Sequence, residues 1–227
     1  MEGFGEEIRV GGYAVSNARL LAEGGFGLVY SVCDRGGTTY VLKKCSIQRQ
    51  EEYNIVKKEV EVLDKFRDCP YIVTMVSSQV GSGSREGLIL LEMCSGGHLL
   101  DQLNATRQQS MYLDQRRICT IFGQILTGIR ALHEAHPVIT NRDIKLENVL
   151  FGGPDNNTVK LCDFGSCVFG IVPVRNQTEK TDAEEVINKE TTPAYRAPEM
   201  VDLYMRPELT FKTDIWALGC LLYCLCH

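Results

Sequence analysis

The chain of 227 residues carries no long uninterrupted apolar run. Its most apolar stretch, 215–226, has no charged residue, yet it stops well short of the roughly 20 residues a membrane-crossing helix needs. It reads as a buried core helix. Positive charge is not massed either: 24 Lys and Arg against 29 Asp and Glu leave a net charge of -5, with bases and acids interleaved. Following a phosphate backbone requires a concentrated basic surface, so nucleic acid is excluded as a partner. Residues 1–10 lack the basic-then-apolar pattern of a secretory leader and hold Glu2, Glu6, Glu7 and Arg9 instead. Repeats and low-complexity tracts are absent. The ten cysteines are scattered through mostly apolar runs. Cys220, Cys224 and Cys226 have neither the paired short spacing nor the companion ligands of a zinc site. All of them read as packing thiols in a reducing, cytoplasmic setting.

With 44% hydrophobic and 23% charged residues, the composition is that of a folded protein and excludes disorder. Short β-type runs at 28–32, 39–42, 71–76 and 88–91, separated by glycine-rich or charged turns, predict a mostly antiparallel sheet. One helix interrupts it at 51–66, where Val56, Val60 and Leu63 form an apolar stripe with Glu59 beside it. After Ser95, Gly96 and Gly97 the pattern turns helical. The longest helix starts from Asp114 as N-cap and carries Ile118, Ile121, Phe122, Ile125, Leu126, Ile129 and Leu132. A further helix signal, 182–190, opens with Asp182 and Glu185 at capping-box spacing. The expected fold class is α+β: a small antiparallel-sheet part with one helix at 1–94, then a mostly helical part at 95–227, truncated inside the central apolar helix.

Several residues have the chemistry of phosphate handling. Leu21, Ala22, Gly24, Gly27 and Val29 lie in a glycine-rich turn between two strands, where backbone amides can approach a triphosphate. An ordinary glycine-rich hairpin looks the same. Strand alternation puts Val41 and Lys43 on one face, so an apolar side chain can touch a base while the ammonium reaches phosphate oxygens. Glu59 supplies a carboxylate that can fix Lys43, although a solvated lysine and a surface glutamate fit the spacing as well.

The loop 141–148 is more specific. Asp143 has the chemistry to orient a substrate hydroxyl, Lys145 to neutralise a transferring phosphoryl group, and Asn148 to bind a metal through its amide oxygen. Asp163, at the end of the short strand run 159–162, offers a second hard oxygen ligand, followed by Phe164 as apolar anchor and Gly165 as hinge. Cys162, just before it, reads as a small apolar floor residue. The segments 192–199 (TPAYRAPE) and 214–219 (DIWALG) follow in order.

At these residues the sequence resembles the eukaryotic protein kinases, from the glycine-rich loop to the central apolar helix. The resemblance implies a bilobal fold, Mg-ATP as cofactor and a protein substrate. Lys145 and Thr192 resemble the serine/threonine branch, which implies an aliphatic hydroxyl acceptor. Residues 21–26 (LAEGGF), 161–166 (LCDFGS), 191–200 (TTPAYRAPEM) and 214–222 (DIWALGCLL) are similar to the Numb-associated kinases, a family that includes the adaptor-associated and cyclin-G-associated kinases. That likeness implies endocytic adaptor subunits as partners, association with membranes or vesicles from the cytoplasm, and a helix in the segment after Asp163.

It also implies that Leu91 is the gatekeeper and that Glu92, Met93 and Cys94 form the hinge that hydrogen-bonds adenine. Asn141 departs from the family pattern, which has histidine there; a loss of packing behind Phe164 is expected. Arg142 is implied as the partner of a phosphorylated residue, with Thr178, Thr181, Thr191 and Thr192 the nearby threonines, or as a structural arginine. Two readings stay open: an active kinase, and a scaffold that keeps the fold without turnover.

Overall fold

The computed structural model describes residues 7–24, 27–81 and 83–227. They fall into two compact units. One comprises residues 1–68 and 72–95, the other 69–71 and 96–227. The change at 95/96 lies beside the glycine pair that marks the shift in pattern. Residues 69–71 join the second unit because the Tyr71 carbonyl accepts the Leu161 N–H at 2.9 Å.

The first unit contains β1 (Ile8–Val10), β2 (Tyr13–Gly24), β3 (Gly27–Asp34), β4 (Thr39–Ser46), α1 (Gln50–Lys65), β5 (Met75–Val80) and β6 (Glu86–Glu92). The strands form one six-stranded sheet, in the order β1-β2-β3-β4-β6-β5, and every neighbouring pair is antiparallel. The run expected at 71–76 pairs later, at Met75–Val80. Of its residues, Ile72 and Val73 are buried and apolar without joining the ladder, so burial rather than strand formation selected them.

Alternation divides the sheet into two faces. Tyr30, Leu42 and Leu90 pair across β3, β4 and β6 and form a core with Val10, Val15, Ala18 and Val32. Val29, Val41, Lys43 and Leu91 take the opposite face because successive residues of a strand point to opposite sides. Helix α1 buries Ile55, Val56, Glu59, Val62 and Leu63.

The second unit begins with α2 (Leu99–Gln108) and α3 (Gln115–His133). As expected, the Asp114 side chain caps α3, accepting from the Arg117 N–H at 2.9 Å. Three short antiparallel pairs follow, formed by β7 (Ile139–Thr140), β8 (Val149–Gly152), β9 (Thr158–Leu161), β10 (Val168–Phe169), β11 (Val172–Pro173) and β12 (Glu208–Leu209). Between β11 and β12 lie α4 (Gln177–Glu190) and α5 (Pro198–Val201), and α6 (Lys212–Cys226) comes last.

Two expectations need correction. Helix α4 starts five residues before Asp182. Its cap is Asn176, whose side chain accepts from the Glu179 N–H at 3.0 Å, while the Glu179 carboxylate reaches back to the Arg175 N–H. The polar Asn-x-x-Glu pattern one and a half turns upstream outcompeted Asp182. Helix α6 is not buried all round. Ala217, Leu218, Leu221 and Leu225 are covered, whereas Ile215, Trp216, Tyr223 and Cys226 are exposed, because neighbours pack on one side only among the described residues. No described helix is long and apolar enough to cross a membrane.

Candidate active site

In the first unit, Lys43 is the organising residue. Its Nζ lies 2.7 Å and 2.8 Å from the two carboxylate oxygens of Glu59, with side chains only 11% and 4% exposed. This pair settles the ambiguity of the sequence, since neither group is a solvated surface charge. Register places the other expected nucleotide contacts on the lysine's face of the sheet. Ala22 pairs with Val29, Val29 with Lys43, and Val41 with Leu91, and directly opposed residues share a face.

Leu21, Ala22 and Gly24 are exposed at the end of β2, while Gly25 and Phe26 lie outside the described residues. Gly27 has φ +131°, and a Cβ there would strike the Lys44 carbonyl, so glycine is required by the neighbouring strand as well as by any ligand. Leu91 and Cys94 are both buried. The Glu92 N–H donates to the Thr74 carbonyl at 3.0 Å, and its carboxylate accepts from the Thr74 N–H at 2.8 Å, clamping this residue to the chain before β5.

In the second unit the predicted catalytic groups are in contact. Lys145 Nζ is 2.7 Å from Asp143 Oδ2 and donates to Thr192 Oγ1 at 2.9 Å. Thr192 in turn donates its hydroxyl and its N–H to Asp143 Oδ1, at 2.6 Å and 3.1 Å. Asn148 donates its amide to the Asp143 carbonyl at 2.8 Å and to Oδ2 at 3.0 Å.

The β8–β9 pair brings the backbone of Asn148 and Asp163 to the same end of one hairpin. Val149 sits opposite Leu161, and one step beyond it the Cys162 N–H donates to the Asn148 carbonyl at 3.1 Å. Both residues therefore leave the same end of one hairpin. With the Asn148 amide nitrogen committed to Asp143, its oxygen points the other way. An amide oxygen beside a carboxylate is a hard donor set that suits magnesium.

The backbone around the loop is strained and firmly braced. Arg142 and Asp163 have φ +71° and +65°, a region that costs a side-chain-bearing residue about 1–3 kcal/mol. Asp214, fully buried in α6, accepts the N–H groups of Asn141 and Arg142 at 2.8 Å each and the His133 Nε2 at 2.8 Å. Asn141 does more than pack: its Oδ1 accepts the Asp143 N–H at 3.1 Å, replacing apolar contact with a hydrogen bond to the central residue of the site. Phe164 is fully buried.

Thr191 donates its hydroxyl to the Ile187 carbonyl and accepts from Arg196 Nε at 2.9 Å. Burial pushes the Arg142 guanidinium pKa down, opposed by the carboxylates of Glu190 and Asp214. Desolvation pushes the Tyr195 phenol up to about 12.

A family model for the protein kinase domain matches residues 15–227. The chain belongs to the protein kinases. A probable serine/threonine-protein kinase of Dictyostelium discoideum is 42% identical over 223 residues, which cover 96% of this chain and 27% of that protein. Actin-regulating kinase 1 of Saccharomyces cerevisiae is 34% identical over 234 residues, covering 98% and 36%. A serine/threonine-protein kinase of Schizosaccharomyces pombe is 34% identical over 227 residues, covering 98% and 23%. This kinase domain thus spans no more than about a third of the length of these relatives.

Sequence reasoning missed three residues around the kinase site. Asp214 and His133 brace the loop from two helices; Asp214 was visible in the 214–219 segment, but nothing in that segment said what it holds. Arg196 covers the end of α4 with bonds to the Ile187 and Thr191 carbonyls at 3.1 Å and 3.0 Å.

Proposed function

We propose that this kinase domain transfers the γ-phosphate of Mg-ATP to serine and threonine hydroxyls of protein substrates, as part of a larger protein. The carrying observation is the Asp143 carboxylate, held at once by Lys145, Asn148 and Thr192. A carboxylate fixed this way accepts or orients the proton of an incoming hydroxyl. Thr192, hydrogen-bonded to both Asp143 and Lys145, occupies the place where a substrate hydroxyl would be received, consistent with an aliphatic acceptor. Lys145 is set to neutralise charge on the phosphoryl group, and the Lys43–Glu59 pair holds an ammonium for the phosphates. Asn148 and Asp163 would hold magnesium, which supplies charge neutralisation when bound.

A scaffold without turnover is the weaker reading. None of the four polar groups it would be expected to lose is missing, and Asn141 supports Asp143. The finer assignment to the Numb-associated kinases, with endocytic adaptor subunits as substrates, is supported by the sequence segments that resemble them and by helix α4 in the segment after Asp163.

The test is radiolabelled phosphate transfer to a generic protein substrate by the full-length protein and its Asp143→Asn variant. Loss of the positioned carboxylate should lower kcat by about 10²–10⁴-fold. Equal rates would remove Asp143 from the reaction.

A further inference from the structure

Thr192 meets Asp143 and Lys145 from a stretch of chain that has little of its own to hold it. One 3-10 turn, Pro193–Tyr195, follows it, with the Tyr195 N–H donating to the Thr192 carbonyl at 3.1 Å and the Arg196 N–H to the Pro193 carbonyl at 3.2 Å. No residue of that turn is buried, and Pro193 and Ala194 are exposed. A single 3-10 turn has poor hydrogen-bond geometry and does not fix a backbone unaided.

The hold comes from Arg196. Four of its five N–H donors are used, all on the end of α4 and the residue after it. Nε donates to Thr191 Oγ1 at 2.9 Å, Nη1 to Asn188 Oδ1 at 2.9 Å, and Nη2 to the Ile187 and Thr191 carbonyls at 3.1 Å and 3.0 Å. Carbonyls in the last turn of a helix run short of intrahelical donors and favour a cation beside them. Both roots of this bridge are anchored. Thr191 is buried, with its hydroxyl donating to the Ile187 carbonyl at 2.7 Å, and Ala197 is fully buried on the other side. The guanidinium therefore closes the chain 191–196 into a ring, and Thr192 is the ring residue bonded to Asp143 and Lys145.

We propose that Arg196 is a positioning residue for phosphoryl transfer to the protein acceptor, acting through Thr192 on Asp143 and Lys145. The planar fork is essential to this role, because a lysine presents a point charge on a flexible stem and cannot make four directed bonds at once. The opposite end of α4 provides a comparison. Residues 177–182 bury no side chain, and they are held by Tyr204, whose hydroxyl donates to Gln177 Oε1 at 3.0 Å beneath the Lys180 ammonium, 3.5 Å from the ring centroid. That contact steadies the same helix but lies away from Thr192.

The kinetic part of this inference rests on the phosphoryl-transfer reading; the closure of the ring does not. The test compares Arg196→Met, Arg196→Lys, Thr192→Ala, the double variant Thr192→Ala with Arg196→Met, and Tyr204→Ala in the full-length protein. It is read by kcat for a generic protein substrate, by KM for ATP and by the rate of tryptic cleavage after the exposed Lys189. Arg196→Met should lose about 10-fold in kcat, leave KM for ATP within about twofold and be cleaved about 10-fold faster. Arg196→Lys should recover less than half of the lost kcat. The double variant should be no slower than Thr192→Ala alone, since the arginine has then lost the residue it acts through. Tyr204→Ala should be cleaved faster and keep kcat within about twofold.

A purely stabilising role would lower kcat in Tyr204→Ala as much as in Arg196→Met, and that result overturns the proposal. So does wild-type kcat in Arg196→Met, or losses that multiply in the double variant. Should the wild type transfer no phosphate, the phosphotransferase reading fails, while cleavage of Arg196→Met at the wild-type rate is the outcome that refutes the ring. If Arg196→Met does not fold, Thr191→Val, which removes only the hydroxyl bonded to Nε, takes its place, with a loss of about 3-fold in kcat that again must not multiply with Thr192→Ala.

Discussion

The Lys43–Glu59 pair allows a stability prediction that separates folding from chemistry. Both carboxylate oxygens lie within 2.8 Å of the ammonium, and the two side chains are 11% and 4% exposed. Replacing Glu59 by Gln takes this carboxylate away from a largely buried ammonium. Removing one partner of a buried pair costs about 3–5 kcal/mol. Against a total stability of about 5–15 kcal/mol, that is a large share. At about 2–4 °C per kcal/mol for a domain of this size, the melting temperature should fall by roughly 6–20 °C. Lys43→Met should cost a similar amount, because it takes the ammonium away from a buried carboxylate.

The double variant Lys43→Met with Glu59→Leu removes both charges and fills the space with apolar atoms. Such replacements are often neutral, so it should melt within a few degrees of the wild type. Phosphate transfer should not return, since the ammonium assigned to the phosphates is gone. Thermal and urea denaturation of the four proteins completes the cycle. If the double variant loses the sum of the two single losses, the charges are not compensating one another and the argument fails.

Two further outcomes follow from the second unit. Asn141→Ala should strand the Asp143 N–H, costing about 1–3 kcal/mol and lowering kcat several-fold; unchanged kcat and melting temperature would show that this hydrogen bond does not support Asp143. Tyr195 has a folded-state pKa raised to about 12, so the unfolded chain ionises first as pH rises and stability should decline from about pH 10 upward. Tyr195→Phe should flatten that alkaline decline and remove one late-titrating phenol from an absorbance titration at high pH. A wild-type-like alkaline slope in the variant would count against it.

Much of the first unit was legible because its signals are local. Alternation in 39–42 put Val41 and Lys43 on one face, and the helical stripe at 51–66 put Glu59 beside its buried side. The pair was offered by the sequence but not decided by it, since sixteen residues of chain separate two charges that look solvated until burial is known. The strand at 71–76 was misplaced for a related reason: Ile72 and Val73 are apolar for burial, and hydrophobicity alone does not distinguish a ladder from packed loop. At α4, two polar capping patterns competed within seven residues, and the earlier one, in which Asn176 and Glu179 both make capping bonds, set the start.

By itself the sequence determined the chemical inventory: an aspartate, a lysine and an asparagine within one short loop, and an aspartate closing a strand. The three loop residues are encoded within a few residues of one another, where spacing translates directly into geometry. Only the tertiary structure decided which distant groups hold them. Asp214 reaches Asn141 and Arg142 across more than seventy residues, and Thr192 reaches Asp143 across forty-nine. Such contacts depend on where whole helices pack, and a buried charge declares its partner only once the chain around it has closed.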